Sequence, residues 1–129
     1  GDGCFQMTCQ ELITATTGNI PIKIVVFNTG NHGMVRQWQK IFYNSKFSAS
    51  ELGHVVPDYV KLAESMGAVG LRMIKKSEVK NVFSEMLKIN DRPVLIDCVV
   101  DPEDMVFPMV PAGGSNDQII LNEEDLKNL

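Results

Sequence analysis

Two short segments of the sequence combine glycines with oxygen-bearing side chains. The first is Gly1-Asp2-Gly3 at the start of the chain, and the second is the run NTGNHG at residues 28–33. Glycine turns that lead into a helix expose backbone N–H groups, which attract phosphate. The Asp2 carboxylate would repel a phosphate unless a cation lay between them, and Mg²⁺ commonly bridges a carboxylate and a diphosphate. Because the second segment can add a side-chain oxygen and a backbone carbonyl, the two together predict a site for a metal-bound diphosphate.

The same residues also have simpler interpretations. Asp2 could cap the helix that follows it, and a lone Gly-Asp-Gly is most often a plain turn. We favour the metal-ligand interpretation because an Asn/Gly segment follows the first predicted strand. His32 and His54 have no carboxylate or nucleophile at a suggestive spacing, so we expect loop positions, with His32 near the site and His54 in solvent. Trp38, taken alone, is more typical of a helix packed in a core.

Three apolar runs have the composition of buried strands. They are Ile22 to Asn28, Val69 to Ile74 and Pro93 to Val100. Such runs are typical of strands that are covered on both faces. Because helical patterns separate them, they indicate an α/β fold of three layers, in which helices flank a mostly parallel sheet. Ligands on such sheets bind beyond the carboxyl ends of the strands, which is the position of residues 28–33.

Four helices are predicted from apolar periodicity and from terminal residues. The first follows a Gly-Asp-Gly loop and runs from Thr8 to about Thr17, and the second runs from Gly33 to about Tyr43. The third covers Asp58 to Met66, with Gly67 as its stop. Ser77 is expected to cap the fourth.

The composition is that of one globular domain. The 129 residues are 44% hydrophobic and 22% charged, which suffices for a core. The net charge of −4 argues against nucleic acid and anionic membranes as partners, because both bind basic surfaces. Cys4, Cys9 and Cys98 follow no metal-binding spacing, so we expect partly buried, reduced thiols of a cytoplasmic protein. Residues 101–129, which combine a proline-rich stretch with an acidic end, are expected to form a C-terminal tail or lid.

Longer stretches of the sequence carry a resemblance to a known family. Gly-Asp-Gly followed by an asparagine loop at the next strand end is similar to the signature of thiamine diphosphate enzymes. GMVRQWQ (residues 33–39) and PMVPAGG (residues 108–114) resemble one branch, the catalytic subunit of acetohydroxyacid synthase, also called acetolactate synthase. The resemblance covers nearly the whole chain and implies the C-terminal part of a thiamine diphosphate-binding (pyrophosphate) domain. In that family Gly-Asp-Gly follows a strand, so we expect residues 1–129 to begin partway through the domain.

The resemblance implies roles for ten residues. Asp2, Thr29 and Asn31 match positions that hold Mg²⁺, Asn31 through its backbone carbonyl. Trp38 matches a tryptophan that lines the substrate channel and favours 2-oxobutyrate as the second substrate. The positions that match contacts with thiamine diphosphate are Gly3, Cys4, Met7, Gly33, Met34 and Val35.

One of these positions departs from the family. The family usually has two asparagines at the strand end, and the second ligates the metal. Here the pair is Asn28 and Thr29. A threonine hydroxyl is a neutral oxygen that can ligate Mg²⁺, but it is shorter than an amide and a poorer donor of electrons.

The resemblance also implies an activity for the whole protein. Such an enzyme decarboxylates pyruvate on thiamine diphosphate and condenses the product with pyruvate or 2-oxobutyrate, which begins branched-chain amino acid biosynthesis. It carries FAD in another domain, forms a homodimer or tetramer, and commonly binds a small regulatory subunit. The catalytic glutamate comes from the partner's N-terminal domain, so we expect no catalytic residue and no activity in residues 1–129 alone. Another thiamine diphosphate-dependent decarboxylase or carboligase, or a non-catalytic relative, is the alternative.

Overall fold

A parallel three-stranded sheet forms the centre of the computed structural model, which describes residues 1–53 and 55–128, without the side chains of residues 127 and 128. The strands are β1 (Lys23–Asn28), β2 (Val69–Met73) and β3 (Val94–Val99), and the order in the sheet is β1-β3-β2. Both outer strands run parallel to β3. His54 lies outside the described residues, so its expected solvent position is not addressed.

The central position of β3 follows from its sequence. Val94, Leu95 and Ile96 are all fully buried, as a strand with neighbours on both edges and helices on both faces requires. Successive side chains point to opposite faces, so Leu95 joins one core cluster while Val94 and Ile96 join the other. The predicted parallel sheet between two helix layers is therefore confirmed.

The described part of the chain contains five α-helices. Tyr59, Ala63 and Leu12 come from helices on the Leu95 face, and Met86 comes from a helix on the opposite face. The helices are α1 (Asp2–Thr8), α2 (Glu11–Thr17), α3 (Gly33–Phe42), α4 (Tyr59–Ser65) and α5 (Val79–Lys88), and short 3₁₀ turns cover Lys76–Glu78, Asn116–Gln118 and Glu123–Asn128.

The start of the chain differs from its prediction. Asp2 already belongs to α1, with Gly1 as the N-cap, so Gly-Asp-Gly is the first turn of a helix and the prediction of a loop was wrong. The helix expected from Thr8 to Thr17 is instead two short helices joined at Cys9 and Gln10. Both residues keep right-handed helical dihedral angles, and the bonds from Leu12 N to Cys9 O and from Ile13 N to Gln10 O tighten the chain there.

Two further local predictions need correction. Ser77 lies within a 3₁₀ turn, and the side chain that accepts hydrogen bonds at the start of this region is Glu78, from Ile74 N (2.8 Å) and Lys75 N (2.9 Å). A single carboxylate oxygen of Glu78, Oε2, accepts both bonds. Cys4 is exposed rather than partly buried, since it lies beside the open cleft, whereas Cys98 is buried in β3.

The segment after β3 packs back on α3. An antiparallel bridge joins Met109 to Ile120, with Met109 N to Ile120 O at 2.9 Å and Ile120 N to Met109 O at 2.8 Å. Val106 lies beside α3, where its carbonyl accepts a hydrogen bond from Gln37, and Glu103 pairs with Arg36 of the same helix. That residues 101–129 act as a lid stays a prediction. None of the described helices has the length and apolar character needed to cross a membrane.

Candidate functional site

The structure joins the two glycine-containing segments directly. Asp2 is 1% exposed, and its Oδ2 accepts a hydrogen bond of 2.7 Å from Gly30 N. Gly30 has a φ of +69°, a conformation that glycine adopts without strain, and this allows the chain after β1 to turn its amide towards α1. Because Asp2 Oδ1 accepts no hydrogen bond from the described residues, one carboxylate oxygen remains available to a ligand.

A cleft of about 370 Å³ opens beside Asp2. Its polar residues come from the first turn of α1 and from the segment that joins β1 to α3. Phe27 and Val106 add an apolar wall and are 57% and 61% exposed. Eight of the ten residues to which the resemblance assigns roles line this cleft: Asp2, Gly3, Cys4, Thr29, Asn31, Gly33, Met34 and Val35.

The start of α3 can bind an anion in this cleft. His32 is the N-cap, and Arg36 N donates to His32 O at 2.9 Å, which is the first hydrogen bond of the helix. The amides of Gly33, Met34 and Val35 precede that bond and have no carbonyl partner within the helix. Since all three residues line the cleft, their N–H groups suit the oxygens of a diphosphate.

Thr29 and Asn31 present two neutral oxygens close together. Thr29 Oγ1 donates to Asn31 O at 3.2 Å and accepts from Asn31 N at 3.3 Å. Adjacent ligands of an octahedral Mg²⁺ with bonds of ~2.1 Å lie about 3 Å apart. The spacing of Thr29 Oγ1 and Asn31 O therefore fits a shared cation, which would take the place of the hydrogen bond between them.

The remaining charge for such a cation would come from Asp2. Within residues 1–53 and 55–128, no three His, Cys, Asp or Glu side chains are grouped so that they could hold a metal ion. A cation here thus depends on one carboxylate and on neutral oxygens, which suits Mg²⁺ shared with a diphosphate.

Two of the ten residues lie outside the cleft. Met7 is 67% exposed, one turn further along α1. Trp38 packs on Phe42 with ring centroids 5.2 Å apart, and it borders a separate pocket with Tyr43 and Pro111. The roles assigned to Met7 and Trp38 stay predictions, as do those of the eight residues in the cleft.

His32 lies at the cleft, and its ring packs against α1. Its ring fills the space beside Gly3, because a Cβ built on Gly3 would lie 2.6 Å from His32 Nδ1. Gly3 is therefore required for the packing of α1 against this ring. The expectation that His32 is a loop residue near the site agrees with its place in the cleft lining.

Sequence reasoning missed a polar network behind the cleft. Asp97 in β3 is 2% exposed and accepts from Asn28 Nδ2 at 2.8 Å and from Arg72 Nε at 2.9 Å. Arg72 Nη2 also donates to Asp58 at 2.6 Å. The hydrogen bond to Asp97 is the main cause that raises the pKa of Arg72 above its usual value. The available signal was a single aspartate inside the apolar run PVLIDCVV, since a buried carboxylate requires partners.

Comparison with known proteins identifies the family of this chain. The profile of the family described as "Thiamine pyrophosphate enzyme, C-terminal TPP binding domain" matches residues 1–98. The chain belongs to this family. The acetolactate synthase of Mycobacterium avium is 52% identical over 122 residues, and a large subunit from Corynebacterium glutamicum is 50% identical over 122 residues. Each match covers 92% of this chain and 20% of the relative, so the chain spans about one fifth of their length.

A solved structure supports the fold. The chain is similar to the thiamine diphosphate-dependent 4-hydroxybenzoylformate decarboxylase of Rhodococcus jostii RHA1, with a TM-score of 0.69 and 27% identity. The match covers 78% of this chain and 19% of that chain. This thiamine diphosphate-binding domain is thus homologous to acetolactate synthase large subunits, and the resemblance drawn from the sequence is confirmed.

Proposed function

We propose that this chain is the Mg²⁺–thiamine diphosphate-binding part of an acetolactate synthase large subunit. The observation that carries the proposal is the hydrogen bond between Asp2 Oδ2 and Gly30 N, which joins the candidate metal carboxylate to the segment with the other candidate ligands. The whole enzyme would decarboxylate pyruvate and condense the product with a second 2-oxoacid, giving 2-acetolactate or 2-aceto-2-hydroxybutyrate. The homology to acetolactate synthases supports this choice of reaction.

Each group around the cleft has a defined task in this proposal. Asp2, with Thr29 and the Asn31 carbonyl, would bind Mg²⁺, and the amides at the start of α3 would bind the diphosphate. Met34 and Val35 would exclude water beside the thiazolium ring, since both are exposed apolar side chains of the cleft. When bound, thiamine diphosphate supplies an electron sink for decarboxylation and carbon–carbon bond formation.

The rest of the enzyme would supply what this chain lacks. As the resemblance implies, we expect a catalytic glutamate and FAD on other domains, a homo-oligomer, and a small regulatory subunit. A cytoplasmic location is supported by the three free cysteines. The exposed apolar residues Phe27 and Val106 at the cleft are consistent with cover by another domain.

A binding experiment on the full-length protein tests the metal site. Thiamine diphosphate is titrated calorimetrically at increasing Mg²⁺ concentrations into the parent, Asp2→Ala and Asp2→Asn. The amide oxygen of Asn can still accept from Gly30 N, so this variant removes the charge and keeps the anchor. We expect both variants to lose roughly tenfold or more in Mg²⁺ affinity, with Asp2→Asn close to the parent in melting temperature. A parent that binds without Mg²⁺, or does not bind, contradicts the proposal.

Product analysis tests the reaction. Full-length protein supplied with pyruvate, Mg²⁺, thiamine diphosphate and FAD should form acetolactate, and release of acetaldehyde alone would indicate a decarboxylase.

Trp38→Leu should keep acetolactate formation and lower the preference for 2-oxobutyrate, because an aromatic contact with one extra methyl group is worth about 1–3 kcal/mol. An unchanged product ratio in competition would remove Trp38 from the substrate channel.

A further inference from the structure

Asp97 lies outside the cleft, yet its hydrogen bonds lead into it. We propose that Asp97 is a positioning residue for the metal site, which acts through Asn28 to orient the segment of residues 29–31. This inference rests on the proposed function, because that segment carries two of the candidate Mg²⁺ ligands.

The first step concerns the orientation of the Asn28 amide. A buried carboxylate can only accept hydrogen bonds, so the group that faces Asp97 Oδ1 has to be a donor. That donor is Asn28 Nδ2, at 2.8 Å. Arg72 Nε binds the second oxygen, Oδ2, at 2.9 Å and prevents the carboxylate from turning away. Asp58 in turn holds Arg72 through Nη2.

The second step concerns Gly30. With Nδ2 directed at Asp97, the carbonyl oxygen of the Asn28 side chain faces Gly30 N, which donates to it at 3.3 Å. The same N–H donates to Asp2 Oδ2 at 2.7 Å. Asp97, Asn28, Gly30 and Asp2 are thereby joined in one path of hydrogen bonds. A change in the Asn28 amide would act on the turn at Gly30, between the two candidate ligand positions.

Asp97→Asn disturbs this path with almost no change in shape. The amide oxygen of the new side chain would accept from Arg72, because hydrogen bonds from a charged donor are the stronger ones. Its NH₂ group would then face Asn28 Nδ2, so two donors would meet. Relief by a flip of the Asn28 amide would place its NH₂ group against Gly30 N–H. Either way the orientation of the segment after β1 is lost.

A double-mutant cycle on the full-length protein tests the inference. Parent, Asp97→Asn, Asn28→Ala and the double variant are compared by the Mg²⁺ concentration that gives half-maximal thiamine diphosphate binding, and by melting temperature. We expect each single change to raise that concentration roughly tenfold, as loss of an outer-sphere partner does. The double variant should be no worse than Asn28→Ala alone, because both changes break the same path. Asp91→Asn is the matched control, since Asp91 is exposed and pairs only with the neighbouring Arg92 among the described residues.

The outcomes separate the inference from the proposed function. The positioning role is overturned if the double variant raises the Mg²⁺ concentration for half-maximal binding by the product of the two single effects. It is also overturned if Asp97→Asn lowers only the melting temperature. If Asp97→Asn fails to fold, the test rests on Asn28→Ala. An Mg²⁺ requirement of Asn28→Ala equal to that of the parent would show that the path of hydrogen bonds does not position the metal site. A parent without Mg²⁺-dependent binding would instead contradict the proposed function.

Discussion

Gln37 of α3 binds the backbone of Val106 as a neighbouring strand would. Gln37 Nε2 donates to Val106 O at 3.0 Å, and Gln37 Oε1 accepts from Val106 N at 2.7 Å. The glutamine is 5% exposed, so water does not compete for these bonds. Since Val106 lines the cleft, this side chain ties the wall that the C-terminal segment gives to the cleft directly to α3.

Gln37→Met should release this segment while α3 remains folded. Loss of a buried side chain that satisfies two backbone groups costs about 1–3 kcal/mol. We expect faster hydrogen exchange at the Val106 amide and a lower melting temperature of the full-length protein. Gln39→Met is the control, because Gln39 makes the same two kinds of bond to Ser48, away from Val106. Equal exchange at Val106 in both variants would show that Gln37 does not hold the segment.

The contact between Glu103 and α3 should depend on pH. The hydrogen bond from Arg36, followed by that from Lys40, holds the pKa of Glu103 below its ordinary value of 4.5. A folded-state pKa below the unfolded one means that this contribution to stability is complete above about pH 4.5 and is lost as the pH falls through the folded-state value. The melting temperature of Glu103→Gln should therefore lie below that of the parent at pH 7 and approach it below pH 4.5. A difference between the two melting temperatures that stays constant from pH 7 to below pH 4.5 would contradict this prediction.

Gly3→Ala should displace the His32 ring. Alanine favours a helix over glycine by about 1 kcal/mol, but its Cβ would lie 2.6 Å from His32 Nδ1. We expect Gly3→Ala to lower the melting temperature when His32 is present and to raise it in a His32→Ala background. Full-length protein and thermal unfolding suffice for this comparison. A raised melting temperature in both backgrounds would mean that the ring moves away without loss, and a lowered one in both would mean that His32 is not the cause.

Thr29 should set the Mg²⁺ requirement of the full-length enzyme. Its hydroxyl replaces the amide that the family usually has there, so Thr29→Asn should lower the Mg²⁺ concentration for half-maximal activity. Thr29→Val removes the oxygen and should raise it, while Thr29→Ser keeps the hydroxyl and should match the parent. If Thr29→Val behaves like the parent in a magnesium titration, the side chain takes no part in metal binding, and the Asn31 carbonyl is left as the contribution of this segment.

The strands and the positions of most helices could be predicted from local patterns. Residues 93–100 are apolar except for Asp97, and a strand with that composition lies in the middle of the sheet. The helix start at Asp2 could not be predicted, because glycines on both sides favour a turn. Glycine is needed at position 3 because the His32 ring occupies the space that a Cβ would fill. Such a contact between residues distant in the sequence leaves no local pattern.

The candidate site could also be predicted only in part, because local motifs reveal some of its residues but not the contacts between residues far apart in the sequence. Asp2 and Thr29 were recognised because each lies in a short polar motif, and the cleft contains both. Arg72 and Asn28 were missed as partners of Asp97 because they lie 25 and 69 residues away along the chain. The resemblance supplied no help there, because it assigned roles only to positions that match contacts with the cofactor, metal or substrate.

The parallel pairing of β3 has a consequence for how the sheet assembles. Asp97 lies opposite Val26 on one side and Arg72 on the other, on the face that also carries Leu95. A slip of β3 by one residue would turn Asp97 to the α5 face, among the apolar side chains around Met86. A charge buried there without a partner is strongly unfavourable, so the aspartate discriminates against misaligned pairing during folding. The only charged residue of the central strand thereby specifies which of the otherwise similar apolar alignments persists.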